Sequence, residues 1–129
     1  MLVGLEINTE ETNAGIPVLR LKGEVDLHTC TELRTLLVHL MDARKGHIVL
    51  DLAEVPYLDS AALGVLVDAV RRAREIGGAL HLVNMTPFVR RAFDITRLIK
   101  IFQVHDSVDS ALAAIAARPS SEGGVANAA

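Results

Sequence analysis

The sequence predicts a single α/β domain with a mixed sheet of four to five strands and interleaved helices. Two observations lead to this prediction. The chain has 129 residues, half of them hydrophobic, which suits one hydrophobic core. Short segments with strand-like patterns also alternate with longer segments of helical period. The predicted order is ββαβαβαβα, and strands that alternate with helices are typical of a largely parallel sheet.

The first two strands are predicted to form an antiparallel hairpin. Apolar and polar residues alternate over residues 3–8 and again over residues 18–22, with turn-forming residues at 13–15. Two alternating segments joined by a short polar turn indicate paired strands that each bury one face. This hairpin is what makes the predicted sheet mixed.

A helix and a buried strand are predicted next. Thr29 and Glu32 match the capping-box pattern at a helix start, and leucines follow at helical spacing until Gly46 ends the helix. Residues 47–52 are almost continuously apolar, which is typical of a strand covered on both faces.

The second predicted helix begins at Asp59 or Ser60, runs to about Glu75, and is ended by the glycine pair at 77–78. Its period predicts an inward stripe. The residues of that stripe are Leu63, Leu66, Val67, Val70 and Ala73.

The last elements are shorter. We predict a strand over residues 79–83, a helix that begins at Thr86-Pro87, a strand over residues 101–104 and a final helix capped by Asp106. Pro, Ser, Gly and Ala dominate afterwards. We therefore expect the domain to cover residues 1–118 and residues 119–129 to form a disordered tail.

Composition argues against several classes of protein. The formal net charge is −3, there is no Trp, and aromatic residues make up 3% of the chain. Nucleic-acid binding would need clustered positive charge or aromatic stacking platforms. The N-terminus lacks the pattern of a signal peptide, and no apolar run approaches the ~20 residues that span a bilayer. We expect a cytoplasmic protein that binds neither nucleic acid nor membrane.

The sequence offers no pattern of an active site or a metal site. The five histidines lack ligand spacing, and we expect His39 and His81 to be surface or boundary residues. Asp51 and Glu54 precede Ser60 closely, but no nucleophile–base pair or phosphate-binding loop accompanies them. We predict no catalytic residue, no metal and no cofactor.

Two loop segments stand out. Residues 23–29 read Gly-Glu-Val-Asp-Leu-His-Thr. Residues 55–66 contain Asp59-Ser60 and, after two alanines, Leu-Gly-Val-Leu. Both follow predicted strands, and the carboxyl ends of parallel strands are where such folds place their sites. Together with Val-Leu-Asp-Leu at 49–52, these motifs resemble the sulfate-transporter and anti-sigma-factor-antagonist (STAS) domain. The resemblance covers about residues 3–117 and implies the same fold.

The resemblance also implies a function. In bacterial anti-sigma factor antagonists, the serine of the Asp-Ser pair is phosphorylated by the anti-sigma factor, which is a serine kinase, and a serine phosphatase reverses the reaction. Ser60 matches that serine, and Asp26 matches an acid on the polar surface around it. Asp59 and His28 are further candidates for partner binding. The usual Asp-Ser-[Ser/Thr]-Gly has become Asp59-Ser60-Ala61-Ala62 here.

Other interpretations stay open at this point. Ser60 and Asp59 would also serve as helix caps, and Asp26 as a turn residue. The same domain serves as a scaffold in sensory complexes and as a soluble subunit of lipid transporters, and a nucleotide-binding protein is a third alternative. A weak homodimer is compatible with each of these functions.

Overall fold

The computed structural model describes residues 4–118, in which helices and strands follow one another in the predicted order. The predicted tail, residues 119–129, lies outside the described residues. The elements are β1 (Glu6–Glu11), β2 (Pro17–Lys22), α1 (Cys30–Asp42), β3 (His47–Glu54), α2 (Ser60–Glu75), β4 (Ala79–Val83), α3 (Pro87–Ile95), a 3₁₀ helix (Leu98–Ile101), β5 (Gln103–His105) and α4 (Val108–Ala117).

The five strands form one mixed sheet in the order β1-β2-β3-β4-β5. β1 pairs with β2 antiparallel, and the other three pairs are parallel. The predicted hairpin and mixed sheet are therefore confirmed. β1 is an edge strand, and it carries the glutamates Glu6, Glu10 and Glu11.

Helices cover both faces of the sheet, but unequally. Because side chains alternate along a strand, Ile48 and Leu50 of β3 face the large cluster that includes α1, α2 and α3, while Val49 faces the other way. The second face carries a smaller cluster under α4. Its fully buried members are Val18, Val49, Val83 and Ala111. The parallel strands are thus buried on both faces, as their apolar sequences predict.

The buried stripe of α2 differs in phase from the prediction. Leu66, Val70 and Ala73 are buried as predicted, whereas Leu63 and Val67 are only partly buried. The remaining buried positions are small or β-branched residues: Ala62, Val65 and Ala69. The predicted stripe, based on hydrophobic period alone, did not include Ala62 and Ala69. Small side chains at such positions let a helix approach a sheet closely.

Two predicted caps differ from the structure. Thr29 occupies the predicted N-cap position of α1, but its side chain makes no capping bond to the helix. Instead, its hydroxyl accepts a bond from the backbone N–H of Asp26 and donates one to the carbonyl of Glu24. At the last helix, Ser107 rather than Asp106 is the N-cap, in a reciprocal capping box with Ser110.

The ends of the sheet also shift relative to the prediction. β1 occupies residues 6–11 instead of 3–8. The final strand occupies residues 103–105 instead of 101–104, because residues 98–101 form the 3₁₀ helix. The starts of the helices agree with the prediction to within about one residue, whereas α1 ends at Asp42, ahead of the predicted stop at Gly46.

The glycine pair after α2 ends the helix as predicted. Gly77 has a φ of 79°, a left-handed conformation in which a side chain is strained. Gly78 lies against the backbone of Gly46, so that a Cβ at position 78 would overlap the Gly46 carbonyl. This contact brings the starts of β3 and β4 together.

Candidate functional site

Ser60 is the first residue of α2, and its side chain is exposed. Asp59 is the N-cap, since its Oδ1 accepts the N–H of Ala62 at 3.0 Å. The alternative that Ser60 is the cap is therefore wrong. Within residues 4–118 no hydrogen bond engages the Ser60 hydroxyl, so it is accessible to a modifying enzyme.

Asp59 also joins the two conspicuous loops. Its Oδ2 accepts the backbone N–H of Leu27 at 3.0 Å. The loops run parallel here, because Val25 donates to the Tyr57 carbonyl and accepts from the Asp59 N–H, both at 3.1 Å. We call residues 23–29 and 55–60 the two-loop site. One carboxylate thus both caps the helix that begins with Ser60 and fixes the neighbouring loop.

Asp26 stabilises the first of these loops from within. Its Oδ1 accepts the backbone N–H groups of His28 at 2.9 Å and Thr29 at 3.0 Å, while its carbonyl accepts the N–H of Cys30 at 2.8 Å. The hydrogen bond from the Thr29 N–H contributes most to holding the pKa of the Asp26 carboxyl below its usual value; desolvation opposes it, and the weaker effect of the His28 N–H adds to it. Asp26 therefore supplies the hydrogen bonds of the turn that leads into α1, and Thr29 holds the N-cap position without a side-chain capping bond.

Three large apolar side chains are exposed around this site, which the sequence analysis missed. Leu27 is 68% exposed, Phe88 56% and Tyr57 39%, and the rings of Tyr57 and Phe88 lie 5.8 Å apart. We call these three residues the apolar patch. The sequence signal that could have indicated this patch is Leu27, a large apolar residue between Asp26 and His28. His28, the predicted partner-binding residue beside Leu27, is exposed as well.

The two acids considered for acid–base chemistry are engaged elsewhere. Asp51 lies 3.5 Å from the Arg20 guanidinium and accepts from the Asn84 side chain at 3.1 Å. Glu54 pairs with Lys22 at 3.8 Å. Neither acid pairs with a nucleophile, so both have structural partners at the carboxyl edge of the sheet.

Residues 4–118 contain neither a cluster of metal-binding side chains nor a helix that could span a membrane. No cluster of three or more His, Cys, Asp or Glu side chains there has a geometry that could hold a metal ion. None of the helices in this part of the chain is long and apolar enough to cross a bilayer.

Comparison with known proteins identifies this arrangement. The STAS domain profile matches residues 7–111. The anti-sigma F factor antagonist of Paenibacillus polymyxa is 32% identical over 111 residues, which are 85% of this chain and 94% of the relative.

Solved structures agree in fold. An anti-sigma factor antagonist from Mycobacterium paratuberculosis superposes with a TM-score of 0.79 at 26% identity, covering 88% of this chain and 95% of its own. The phosphorylated form of the Bacillus cell fate determinant SpoIIAA gives a TM-score of 0.69 at 20% identity, with 85% and 99% covered, and shows the fold alone. On the match of profile, sequence and architecture, the chain belongs to the STAS domain family.

Proposed function

We propose that this protein is an anti-sigma factor antagonist that regulates transcription by partner switching, with Ser60 as its phosphorylated residue. The relatives named above are anti-sigma factor antagonists, and a solved relative exists in a phosphorylated form. The observation that supports Ser60 most directly is its geometry: an exposed, unengaged hydroxyl at the first position of α2, beside the apolar patch.

The unphosphorylated protein binds an anti-sigma factor through the two-loop site. Exposed apolar side chains near the centre of an interface supply much of its binding energy. Leu27, Tyr57 and Phe88 are suited to that role because all three are exposed, Leu27 and Tyr57 belong to the two loops joined by Asp59, and Phe88 lies against Tyr57. Asp26, Asp59 and His28 lie among them and set the polarity of the surface.

Phosphorylation adds about −1.5 to −2 charges and three acceptor oxygens at Ser60. The N–H groups and dipole at the start of a helix favour such a charge, while the Asp59 carboxylate repels it. The fold should therefore change little. In the complex, however, the phosphate would be buried against apolar side chains, at a cost on the order of a few kcal/mol. The partner is released without a large conformational change.

The remaining chemistry belongs to the partners. The anti-sigma factor is a serine kinase that uses ATP, and a serine phosphatase regenerates the binding form. This protein is not itself an enzyme, holds no cofactor, and works in the cytoplasm. A weak homodimer stays a prediction.

The second of the two alanines after the serine has a structural role. Ala62 is fully buried in the core beneath α2, and its N–H is the donor to Asp59. A side chain at that position therefore contributes packing as well as helix propensity. The acceptor hydroxyl and the Asp59 cap are both present, which supports Ser60 as the phosphorylated residue despite the departure from the family motif.

The experiment is a phosphorylation assay with an anti-sigma factor kinase from the same organism and ATP. We expect phosphate on Ser60 by mass spectrometry and at least a tenfold loss of affinity for that kinase. Ser60→Ala should bind without being released. Phosphate at another residue, or unchanged affinity after phosphorylation, would contradict the proposal.

A matched pair of variants tests the binding surface. Leu27→Ala should weaken kinase binding with little change in thermal stability. Ile95→Ala removes a side chain of similar exposure, 70%, from the far end of α3, so it should bind like the wild type. Capture of a sensory assembly or a membrane permease instead of a kinase in a native pulldown would favour the scaffold or transporter alternatives.

A further inference from the structure

Three histidines form a hydrogen-bonded chain across three neighbouring strands. Nδ1 of His47 lies 3.0 Å from Nε2 of His81, and Nδ1 of His81 lies 3.1 Å from Nε2 of His105. The ring centroids are 5.3 and 5.2 Å apart. The chain runs diagonally, since His81 lies opposite Val49 rather than His47, and His105 lies opposite Val83.

This histidine chain lies on the face of the sheet that α4 covers. Val49 and Val83 pack against α4. His47 lies two residues before Val49 on the same strand, so its side chain points to the same face. His81 pairs with Val49 and His105 with Val83 in the parallel register, so these two side chains point to that face as well. His81 is 1% exposed, so the prediction that it is a surface or boundary residue is wrong. The two-loop site does not use these residues.

The geometry constrains the protons. A neutral imidazole has one N–H and one acceptor nitrogen, so in a chain of three all hydrogen bonds run in one direction. His81 uses both of its nitrogens, Nε2 toward His47 and Nδ1 toward His105. Because the two nitrogens of His81 face different histidines, one metal ion could be coordinated by His81 and only one of its two neighbours. An extra proton on His81 would require both neighbours to accept.

Within the described residues, no free carboxylate faces His81 to stabilise a protonated imidazole. On the same face of β3, Asp51 is already held by Arg20 and Asn84. From α4 the only charged groups are Asp109, which is exposed in its first turn, and Arg118 at its C-terminus, which is positive. Burial, and then the charges of His47, His105 and Arg118, lower the pKa of His81 to about 3.

The helix above this chain is weakly held. Ala111 is the only fully buried residue of α4, and Val108, Leu112 and Ile115 pack against the sheet as partly buried side chains. Elements with few buried apolar contacts open locally at low free-energy cost. A proton can therefore reach His81 when α4 lifts from the sheet, without unfolding of the large core.

We propose that the histidine chain is a proton-sensitive latch for α4. While all three imidazoles are neutral, they satisfy one another and α4 stays docked. When the pH falls, the open form gains a proton that the docked form cannot hold, so acid favours undocking of α4. This latch acts on the face opposite α2 and is independent of Ser60 and of the proposed function.

The test is amide hydrogen exchange on the full chain, corrected for intrinsic rates. Opening returns His81 to its ordinary pKa of about 6.5. The opening equilibrium of α4 should then rise about tenfold between about pH 7.5 and about pH 5.5, with protection falling by the same factor. Protection in α1, on the other face, should stay constant. Equal loss in α1 and α4, or no loss in α4, would overturn the latch.

Two further measurements separate His81 from other groups. His81→Leu should abolish the tenfold change in α4, whereas His39→Gln, at an exposed position on α1, should leave it intact. If His81→Leu does not fold, the imidazole nitrogen spectrum of the wild-type protein decides. We expect His81 to stay neutral in the folded protein down to about pH 5. An imidazolium signal from folded His81 near pH 6, or pH-dependent opening retained in His81→Leu, would refute the proposal.

Discussion

Helices α2 and α4 both begin at the carboxyl edge of the sheet with a capping side chain, yet they are held in place differently. α2 has six buried residues in the large core, whereas α4 has one. Beneath α2 the sheet is aliphatic, and beneath α4 it includes the histidine chain. On the two proposals above, α2 accepts a new charge at its first residue because its apolar contact is deep, whereas α4 responds to charge beneath it because it is thinly packed.

The largest test of this contrast is truncation of one leucine in each helix. Leu66→Ala should cost ~2–5 kcal/mol of unfolding free energy, because Leu66 is buried in the large core. Leu112→Ala, at a partly buried position of α4, should cost about 1 kcal/mol, in proportion to the smaller area removed from water. Denaturant unfolding measures both, and exposed Arg72→Ala is the control. Equal losses for the two leucines would break the comparison.

The caps provide a second, smaller test. Asp59→Ala and Ser107→Ala each remove a side chain that accepts an N–H at the start of its helix, typically ~1 kcal/mol. We expect Asp59→Ala to cost more, because Oδ2 of Asp59 also holds the Leu27 N–H. It should also slow phosphorylation of Ser60, which Ser107→Ala should not affect. If Ser107→Ala proves as costly for stability, the link between the two loops contributes little.

The smallest expected effect is that of Asp26→Ala. Among the described residues the Asp26 carboxylate accepts N–H groups only from its own loop, so the melting temperature should fall less than for Asp59→Ala, while partner binding weakens. The folded pKa is lowered, so this stabilisation is present above the ordinary value near 3.8 and is lost as the pH falls through the folded value. Asp26→Asn keeps an acceptor oxygen and should restore most of the stability. If Asp26→Ala binds the partner as tightly as the wild type, the role of Asp26 is limited to its turn.

Local signals in the sequence predict most of this fold. The start of α2 is predicted to within one residue, because Asp and Ser are good capping residues and a helical period follows. Thr29 misled the prediction since its hydroxyl had a competing use within the loop: Asp26, three residues earlier, forms the turn that starts α1. Serine, threonine and aspartate compete for the same backbone groups, and sequence alone does not rank them.

Contacts between distant segments could not be predicted in the same way. His47, His81 and His105 are separated by 34 and 24 residues, and only the strand register brings their nitrogens together. Burial of His81 further depends on where α4 crosses the sheet. The apolar patch has the same origin, because the loop of Leu27 bonds to Asp59 and Tyr57 lies against Phe88 of α3, contacts that depend on the strand order and not on any local pattern.

The glutamates on β1 have a consequence for how the free protein behaves at high concentration. An exposed edge strand is a template to which another chain can add by backbone pairing, and the first step toward fibrils often begins there. Any strand approaching β1 must pass the carboxylates of Glu6, Glu10 and Glu11, two of which are anchored by Arg20 and Lys45. The acidic edge therefore disfavours the addition of another strand to β1.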